Sequence, residues 1–305
     1  MPNCTPLRYP GGKARLLPYL QKLIAQNKLH DAHYVEPFCG GAGLALELLF
    51  GYSVSTIHIN DLDRAVYAFW NSAVFHTDAL CEKISDTPCD IDTWHLQRDI
   101  WTNKSHEDLL DLGFATFFLN RTNRSGILAA GVIGGKGQSG NWKIDARYNR
   151  DALTRRIEAI GRFRSRISVH NLEAVEFLER LQPSLPLNSL VYLDPPYVDK
   201  GPGLYLNSYQ EQDHRRLANW VTENLKRPWI VSYDNHALIR ECYDGHCAAR
   251  INLTYSAYGN ARYGEEVMYF SPGLTPPDMS GNKYKTRKPW ETISNHQPVI
   301  NTSII

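Results

Sequence analysis

The chain has 305 residues, 43% of them hydrophobic and 21% charged, which is the composition of a globular protein rather than a disordered one. No apolar run approaches the roughly 18 residues of a membrane span, and the N-terminal MPNCTPLRYPGGK lacks the apolar core of a secretory signal. Six scattered cysteines without CxxC spacing indicate neither a zinc site nor a disulfide framework. We therefore expect a cytoplasmic protein with reduced cysteines.

Positive charge is concentrated in one part of the chain. The segment 121–166 holds eleven Lys and Arg residues and three acidic residues, a net charge of +8 in a chain whose total is +1. A surface that binds a polyanion needs positive charge concentrated in this way, because contacts to phosphates dominate the affinity of proteins for nucleic acids. A solvated helical face would have the same composition, so charge alone leaves both interpretations open.

The first half of the chain alternates between predicted helices and strands. In chain order these are a helix at 14–26, a strand at 33–38, a helix at 44–50, a strand at 55–61 and a helix at 62–76. The block 78–165 is predicted to be mostly helical or irregular, and the glycine-rich GVIGGKGQSGNW interrupts it at 131–142. The basic segment lies largely inside this block.

Regular alternation resumes after the block. The predicted strands are 166–171, 189–194, 229–234, 249–257 and 265–271, and the predicted helices are 174–181, 213–225 and 236–242. This order predicts an α/β fold with a parallel sheet and an inserted helical subdomain. We expect residues 1–75 and 166–271 to form the catalytic domain, 76–165 the inserted target-recognition subdomain, and 272–305 a flexible tail.

The stretch VYLDPPYVD ends an apolar strand on a carboxylate and two prolines. Asp194 would lie at the carboxyl end of a buried strand, where open α/β sheets bind ligands. Pro195 and Pro196 donate no backbone hydrogen bond, so the peptide presents a carboxylate beside carbonyl oxygens, followed by the ring of Tyr197. Such a group accepts both hydrogens of an amine on a planar heterocycle while the ring stacks on it. A proline turn capped by aspartate is the structural alternative.

The stretch YVEPFCGGAGLAL consists of a strand, a glycine loop and a helix, an arrangement in which bare backbone approaches a cofactor. It is not a phosphate-binding loop, since no GK[ST] follows, and its glycines do not have the GxGxxG spacing. One strand later, Asp61 could accept hydrogen bonds from ribose hydroxyls. Asp61 could equally be the N-cap of the following helix.

Together these motifs resemble the DNA-adenine methyltransferase family of the Dam type. The resemblance covers most of residues 5–271, in the order PLRYPGGK, YVEPFCGGAG, insertion, LDPPY. It implies a Rossmann-like methyltransferase sheet, the cofactor S-adenosyl-L-methionine and no metal. The segment FFLNRTNRSGI at 117–127 resembles the start of the family's DNA-recognition region, but its tail departs from the best-known members, so the target sequence is not carried over.

The resemblance also assigns roles to individual residues. Those matching the catalytic tetrapeptide are Asp194, Pro195, Pro196 and Tyr197. Those expected to bind the cofactor are Tyr9, Gly11, Gly12, Lys13, Glu36, Pro37, Phe38, Gly40, Gly43, Asp61 and again Asp194. Those expected to bind DNA, from the basic segment, are Arg121, Arg124, Lys136, Lys143 and Arg147.

The sequence thus predicts transfer of a methyl group to the exocyclic N6 amine of adenine in double-stranded DNA, with the base flipped out of the duplex. The alternatives are methylation of cytosine at N4, which needs similar acceptor geometry, and a non-catalytic DNA-binding protein that retains the fold. A cognate restriction endonuclease and a monomeric or weakly dimeric state fit the family. The expected location is the cytoplasm of a bacterium or of a phage-infected host cell.

Overall fold

The computed structural model describes residues 4–9, 12–198, 209–257, 260–277 and 290–293. The described strands form a single sheet, and they are β1 (His33–Glu36), β2 (Thr56–Asn60), β3 (Ile167–His170), β4 (Leu190–Leu193), β5 (Trp229–Asp234), β6 (Cys247–Ala257), β7 (Asn260–Phe270) and β8 (Trp290–Ile293). Their order in the sheet is β3-β2-β1-β4-β5-β7-β6-β8.

The described α-helices cover both faces of the sheet and fill the insertion. They are α1 (Leu17–Gln26), α2 (Gly43–Phe50), α3 (Arg64–Phe75), α4 (Thr77–Asp86), α5 (Ile91–Thr102), α6 (Leu109–Thr122), α7 (Arg150–Arg162), α8 (Ala174–Leu181), α9 (Glu211–Asn224) and α10 (Ala237–Cys242). A 3₁₀ turn at Lys13–Leu16 precedes α1, where the sequence predicted one continuous helix. Pro18 favours this division because proline is tolerated only in the first turn of an α-helix.

The sheet is parallel from β3 to β5 and antiparallel beyond it. β1 pairs in parallel with β2 and β4, while β7 pairs antiparallel with β5 and β6. The expectation of a parallel sheet was therefore wrong at one edge. The connection between β6 and β7 is too short for the crossover that parallel strands need, so these two strands form a hairpin, and β7 of this hairpin also pairs antiparallel with β5. The α/β class and the Rossmann-like sheet are confirmed.

β4 is buried on both faces, as its apolar sequence predicted. Leu190 and Tyr192 pack with the helices on one face, whereas Val191 and Leu193 pack on the other. Because side chains alternate along a strand, Asp194 projects on the same face as Tyr192.

The inserted helices α4–α7 share a hydrophobic core with the catalytic part of the chain. The Phe69 ring of α3 stacks on Phe117 of α6 at 6.1 Å, and both belong to the cluster that covers one face of the sheet. At Gly113 a Cβ atom would lie 2.6 Å from the Ala68 carbonyl oxygen, so the glycine lets α3 and α6 approach closely. The proposed division into catalytic and inserted parts thus runs through one continuous core.

The predicted flexible tail contains one short strand. Trp290–Ile293 forms β8, which pairs antiparallel with β6 at the edge of the sheet. Residues 278–289 and 294–305, also part of that prediction, lie outside the described residues. Within the described part of the chain, no helix is both long enough and apolar enough to cross a membrane.

Candidate active site

The carboxyl ends of the parallel strands bring the predicted acidic residues to one edge of the sheet. Glu36 ends β1, Asp61 follows β2 and Asp194 follows β4. β1 and β4 are direct neighbours in the sheet, and Val35 pairs with Val191. Glu36 and Asp194 are therefore close enough for the negative charge of Asp194 to raise the pKa of Glu36.

Two side chains orient the Asp194 carboxylate, one at each oxygen. Its Oδ1 accepts a hydrogen bond from Ser232 Oγ at 2.9 Å, and its Oδ2 forms an ion pair with Lys13 Nζ at 3.0 Å. Ser232 Oγ in turn lies 2.9 Å from the hydroxyl of Tyr192. The Asp194 side chain is 20% exposed, so the carboxylate is oriented from within the protein and still faces solvent.

The Tyr197 ring is buried, with 5% of the residue exposed. Its hydroxyl lies 3.3 Å from Asp194 Oδ1, accepts a hydrogen bond from Lys13 Nζ at 2.6 Å and donates one to Glu266 Oε1. Pro195 and Pro196 are buried beside it. Stacking of this ring on a planar base therefore stays a prediction, and it requires the ring to move from the position that it has here.

Glu266 belongs to the same network although no sequence motif indicated it. It lies on β7 opposite Asp234 of β5, it is fully buried, and its Oε1 lies 3.5 Å from Lys13 Nζ. Burial raises the pKa of Glu266, and the Lys13 ammonium opposes that rise. Glu266 Oε2 has no hydrogen-bond partner among the described residues.

The glycine loop after β1 has bare backbone, as predicted, and an aromatic ring lies on it. Gly40 has a φ of +43°, and a Cβ atom there would lie 2.6 Å from the Tyr9 ring. At Gly41 a Cβ atom would lie 2.8 Å from Tyr9 Cβ. Gly43, by contrast, begins α2 with only ordinary contacts, the nearest being Thr5 at 3.5 Å. Tyr9 itself remains 37% exposed.

Glu36 is buried beneath this loop. It accepts a hydrogen bond from the Tyr34 hydroxyl at 2.9 Å. Burial raises the pKa of Glu36 to about 8, and the neighbouring Asp194 charge adds to the rise. Pro37 and Phe38 continue the chain towards the loop, and the Phe38 ring meets Tyr209 edge-on at 5.9 Å.

Asp61 supports the glycine loop through its side chain. One carboxylate oxygen accepts the Gly40 N–H at 2.9 Å and the other accepts the Asp63 N–H at 2.9 Å. The helix N-cap is Asp63, whose side chain accepts from Ala65 N–H, so the alternative that Asp61 caps α3 is wrong. Burial raises the pKa of Asp61 to about 6.

Asn60, which the sequence did not single out, joins three strand ends. Its Nδ2 donates to the carbonyls of Pro37 and Leu172 at 2.9 and 3.0 Å, and its Oδ1 accepts the Leu172 N–H at 2.9 Å. Because Asn60 is only 1% exposed, these bonds satisfy a buried amide. They fix the segments that follow β1 and β3 relative to β2.

The N-terminal segment lies across the same edge. The Gly12 N–H donates to the Tyr9 carbonyl at 3.2 Å, as a turn between them requires, while Gly11 lies outside the described residues. Thr5 Oγ1 donates to the Gly41 carbonyl at 2.6 Å, which ties the segment to the glycine loop. Lys13 follows directly and is 7% exposed.

The predicted DNA-binding residues divide into two groups. Arg121 is half-buried and donates to the carbonyls of Arg147 and Pro6 at 2.7 and 3.4 Å, which is a structural role. Burial lowers the pKa of Arg121 to about 10, and the positive charges of Arg8, Arg156 and Arg147 lower it further in that order. Four arginines therefore converge beside the N-terminal segment.

The other predicted DNA-binding residues are exposed. Arg124 lies against Gly131, Lys136 lies 6.0 Å above the Trp94 ring and Lys143 donates to the Gln138 carbonyl at 2.6 Å. Arg147 lies 5.7 Å above the ring of Trp142, which is 68% exposed. Tyr148, the neighbour of Arg147, is buried in the core and is not available for such contacts.

Most of the chain matches the model of a known protein family. A family model for the D12 class N6 adenine-specific DNA methyltransferase matches residues 9–256. A comparison with curated proteins found no match. Among solved structures, protein LPL1258 from Legionella pneumophila str. Philadelphia 1 aligns with 88% of this chain and 87% of its own, at 13% identity and a TM-score of 0.31. At that TM-score the similarity supports no conclusion about fold or function.

Proposed function

Because the chain belongs to the D12 class N6 adenine-specific DNA methyltransferase family, we propose that Asp194 and the two prolines after it bind the adenine amine that the reaction methylates. The chain is a DNA methyltransferase that acts on N6 of adenine and uses S-adenosyl-L-methionine as methyl donor. The catalytic and binding roles given below to individual residues are our proposal. The observation that carries it is the partly exposed Asp194 carboxylate, oriented by Ser232 at the edge of the sheet.

The chemistry explains why a carboxylate is needed at this position. The N6 amine is a poor nucleophile, because its lone pair is delocalised into the purine ring. When Asp194 and a neighbouring proline carbonyl accept its two hydrogens, the nitrogen becomes more pyramidal and its lone pair becomes available for attack. The target base must leave the duplex to reach Asp194, at a cost of roughly a few kcal/mol in pairing and stacking.

The residues at this edge fit the cofactor. When bound, S-adenosyl-L-methionine supplies an electrophilic methyl group on a positively charged sulfur. The carboxylates of Asp61 and Asp194 follow neighbouring parts of the sheet edge, and their negative charge suits this cation.

The remaining predicted cofactor contacts also suit a nucleoside. Asp61 has two carboxylate oxygens with lone pairs beyond those that accept backbone N–H groups, so it can still accept ribose hydroxyls. Because Gly40 has no side chain, the cofactor can approach the backbone there closely. The exposed part of the Tyr9 ring offers a flat apolar surface against which the nucleoside can pack.

We assign DNA binding to the inserted helical part, residues 76–165. The four converging arginines repel one another, and a phosphate between them would relieve that repulsion. The exposed pair of Arg147 and Trp142 offers a cation and a flat ring on the same side. We propose that Arg124, Lys136 and Lys143 contribute further contacts to the DNA backbone.

Other parts of the proposal concern the setting of the enzyme. Because its substrate is DNA, the enzyme would act in the cytoplasm of a bacterial cell, whether its gene belongs to the bacterium or to an infecting phage. A cognate restriction endonuclease would use the methylation mark to spare its own DNA. A monomer or weak dimer suffices for methylation of one strand at a time.

The test is incubation of the purified protein with methyl-labelled S-adenosyl-L-methionine and mixed-sequence duplex DNA, followed by nucleoside digestion and mass spectrometry. We expect labelled N6-methyl-2′-deoxyadenosine, and sequencing of the same DNA gives the recognition site. Asp194→Ala should abolish the label while DNA binding remains largely intact. Retention of a tenth or more of wild-type turnover by this variant would contradict the role of Asp194.

A further inference from the structure

Lys13 occupies the acceptor that the target amine needs. Its Nζ lies 3.0 Å from Asp194 Oδ2, and Ser232 already donates to Asp194 Oδ1. An incoming amine must therefore compete with an ammonium group, and hydrogen bonds between charged groups are stronger than those to a neutral amine. The amine therefore binds Asp194 more readily when Lys13 moves away from this oxygen.

Glu266 is positioned to form the ion pair with Lys13 when Lys13 leaves Asp194. Its Oε1 lies 3.5 Å from Lys13 Nζ, which is longer than the ion pair with Asp194, so this second contact is only partly made. Its Oε2 has no donor among the described residues, although the side chain is fully buried. A buried carboxylate with an unused oxygen is costly unless it is paired.

We propose that Glu266 is a positioning residue for methyl transfer, to which Lys13 shifts when the target amine binds Asp194. The inference rests on the proposed function of Asp194 and adds a second carboxylate to it. The hydroxyl of Tyr197 lies within hydrogen-bond distance of Lys13, Asp194 and Glu266, so it stays bonded before and after the shift. Glu266 acts on the reaction through Lys13 and does not contact the amine.

Charge balance gives the proposal a sharp test. In the wild type one ammonium is shared by two carboxylates. In Glu266→Gln the ammonium loses its ion pair with Glu266 and keeps the one with Asp194, so it competes more strongly with the amine. In Glu266→Gln combined with Lys13→Met the ammonium and one carboxylate are both gone, which restores the wild-type net charge and leaves Asp194 open to the amine.

The experiment measures single-turnover methylation of unmethylated duplex DNA at saturating S-adenosyl-L-methionine for these variants and for Lys13→Met alone. We expect Glu266→Gln to slow the reaction at least about tenfold, a barrier increase of about 1.4 kcal/mol. Its dissociation constants for DNA and cofactor should stay within about threefold of wild type, which also shows that it is folded. Glu241→Gln, an exposed acid on α10, is the control and should keep the wild-type rate.

The decisive outcome is the effect of Lys13→Met in the two backgrounds. We expect it to slow the wild type, where two carboxylates lose their cation, but to accelerate the Glu266→Gln variant. If Lys13→Met slows both, or if Glu266→Gln retains the wild-type rate, the proposal is overturned. Failure of the wild type to methylate adenine in the same assay would instead overturn the proposed function.

Discussion

Asn120 makes both backbone hydrogen bonds of Arg8. Its Oδ1 accepts the Arg8 N–H at 2.7 Å, and its Nδ2 donates to the Arg8 carbonyl at 2.8 Å and to that of Gly126 at 2.9 Å. Asn120 belongs to α6 of the insertion, while Arg8 directly precedes Tyr9, whose ring lies on the glycine loop. One amide thus joins the inserted helices to the segment that lies on the glycine loop.

Asn120→Ala should therefore affect both stability and cofactor binding. The amide is 3% exposed, and its removal leaves the half-buried backbone groups of Arg8 and the buried Gly126 carbonyl without this partner, at a cost of about 1–3 kcal/mol. Thermal unfolding and calorimetric titration with S-adenosyl-L-methionine would show a lower Tm and weaker binding. Asn103→Ala, at an exposed asparagine after α5, is the control. Unchanged cofactor affinity in Asn120→Ala would show that the N-terminal segment does not depend on this amide.

Gly40→Ala should destabilise the protein, because alanine is strained at a φ of +43° and its Cβ would lie 2.6 Å from the Tyr9 ring. We expect a loss of at least about 1 kcal/mol, measured by thermal unfolding, where each kcal/mol is worth roughly 2–4 °C in a large domain. Gly43→Ala is the matched control, since its Cβ has space and the position begins a helix. Equal Tm values for the two variants would contradict the close approach of Tyr9.

Two arginines of the insertion should respond differently to alanine. Arg147→Ala removes an exposed cation, so we expect weaker DNA binding, a salt dependence reduced by about one phosphate contact and an unchanged Tm. Arg121→Ala removes hydrogen bonds to the carbonyls of Arg147 and Pro6, so its Tm should fall. Binding titrations at several salt concentrations and thermal unfolding separate the two effects. An unchanged salt slope in Arg147→Ala would remove this residue from the DNA interface.

A histidine pair inside the sheet should make the fold sensitive to acid. His58 is buried, its Nε2 lies 3.0 Å from His33 Nδ1, and burial lowers its pKa to about 4, with His33 and His170 contributing. Between pH 6.5 and about 4 the unfolded chain binds a proton that folded His58 does not, so stability is lost as the pH falls through this window.

His58→Gln should flatten that loss, by about 1.4 kcal/mol for each pKa unit removed. Denaturant unfolding between pH 7 and pH 4 measures the difference. His30→Gln, at an exposed histidine, should keep the wild-type pH dependence. If His58→Gln loses stability with falling pH as steeply as the wild type, other groups cause the acid sensitivity.

Short sequence motifs predicted those site residues whose position depends on their neighbours in the chain. Asp194 after an apolar strand and the glycines around Gly40 can be recognised because a strand end and a tight loop each need particular neighbouring residues. The same holds for most helices, whose spacing is periodic. The boundaries of β3, β4 and β5 were predicted to within one residue.

The partners of Asp194 could not be predicted in this way. Ser232, which donates to Asp194, lies on β5, and Glu266, which shares Lys13 with Asp194, lies on β7. The pairing of those strands is a property of the whole sheet. The burial of Tyr197 depends on contacts with Lys13 and Glu266, which lie 184 and 69 positions away. A motif found within a few residues carries no information about such partners.

The distance along the chain between Lys13 and Glu266, 253 positions, has a consequence for biosynthesis. A ribosome adds roughly 5–20 residues per second, so Lys13 emerges many seconds before the glutamate that shares its charge. Until β7 has been made, β5 also lacks its antiparallel neighbour. The nascent enzyme thus gains the second carboxylate partner of Lys13 and the antiparallel neighbour of β5 at the same late stage of synthesis.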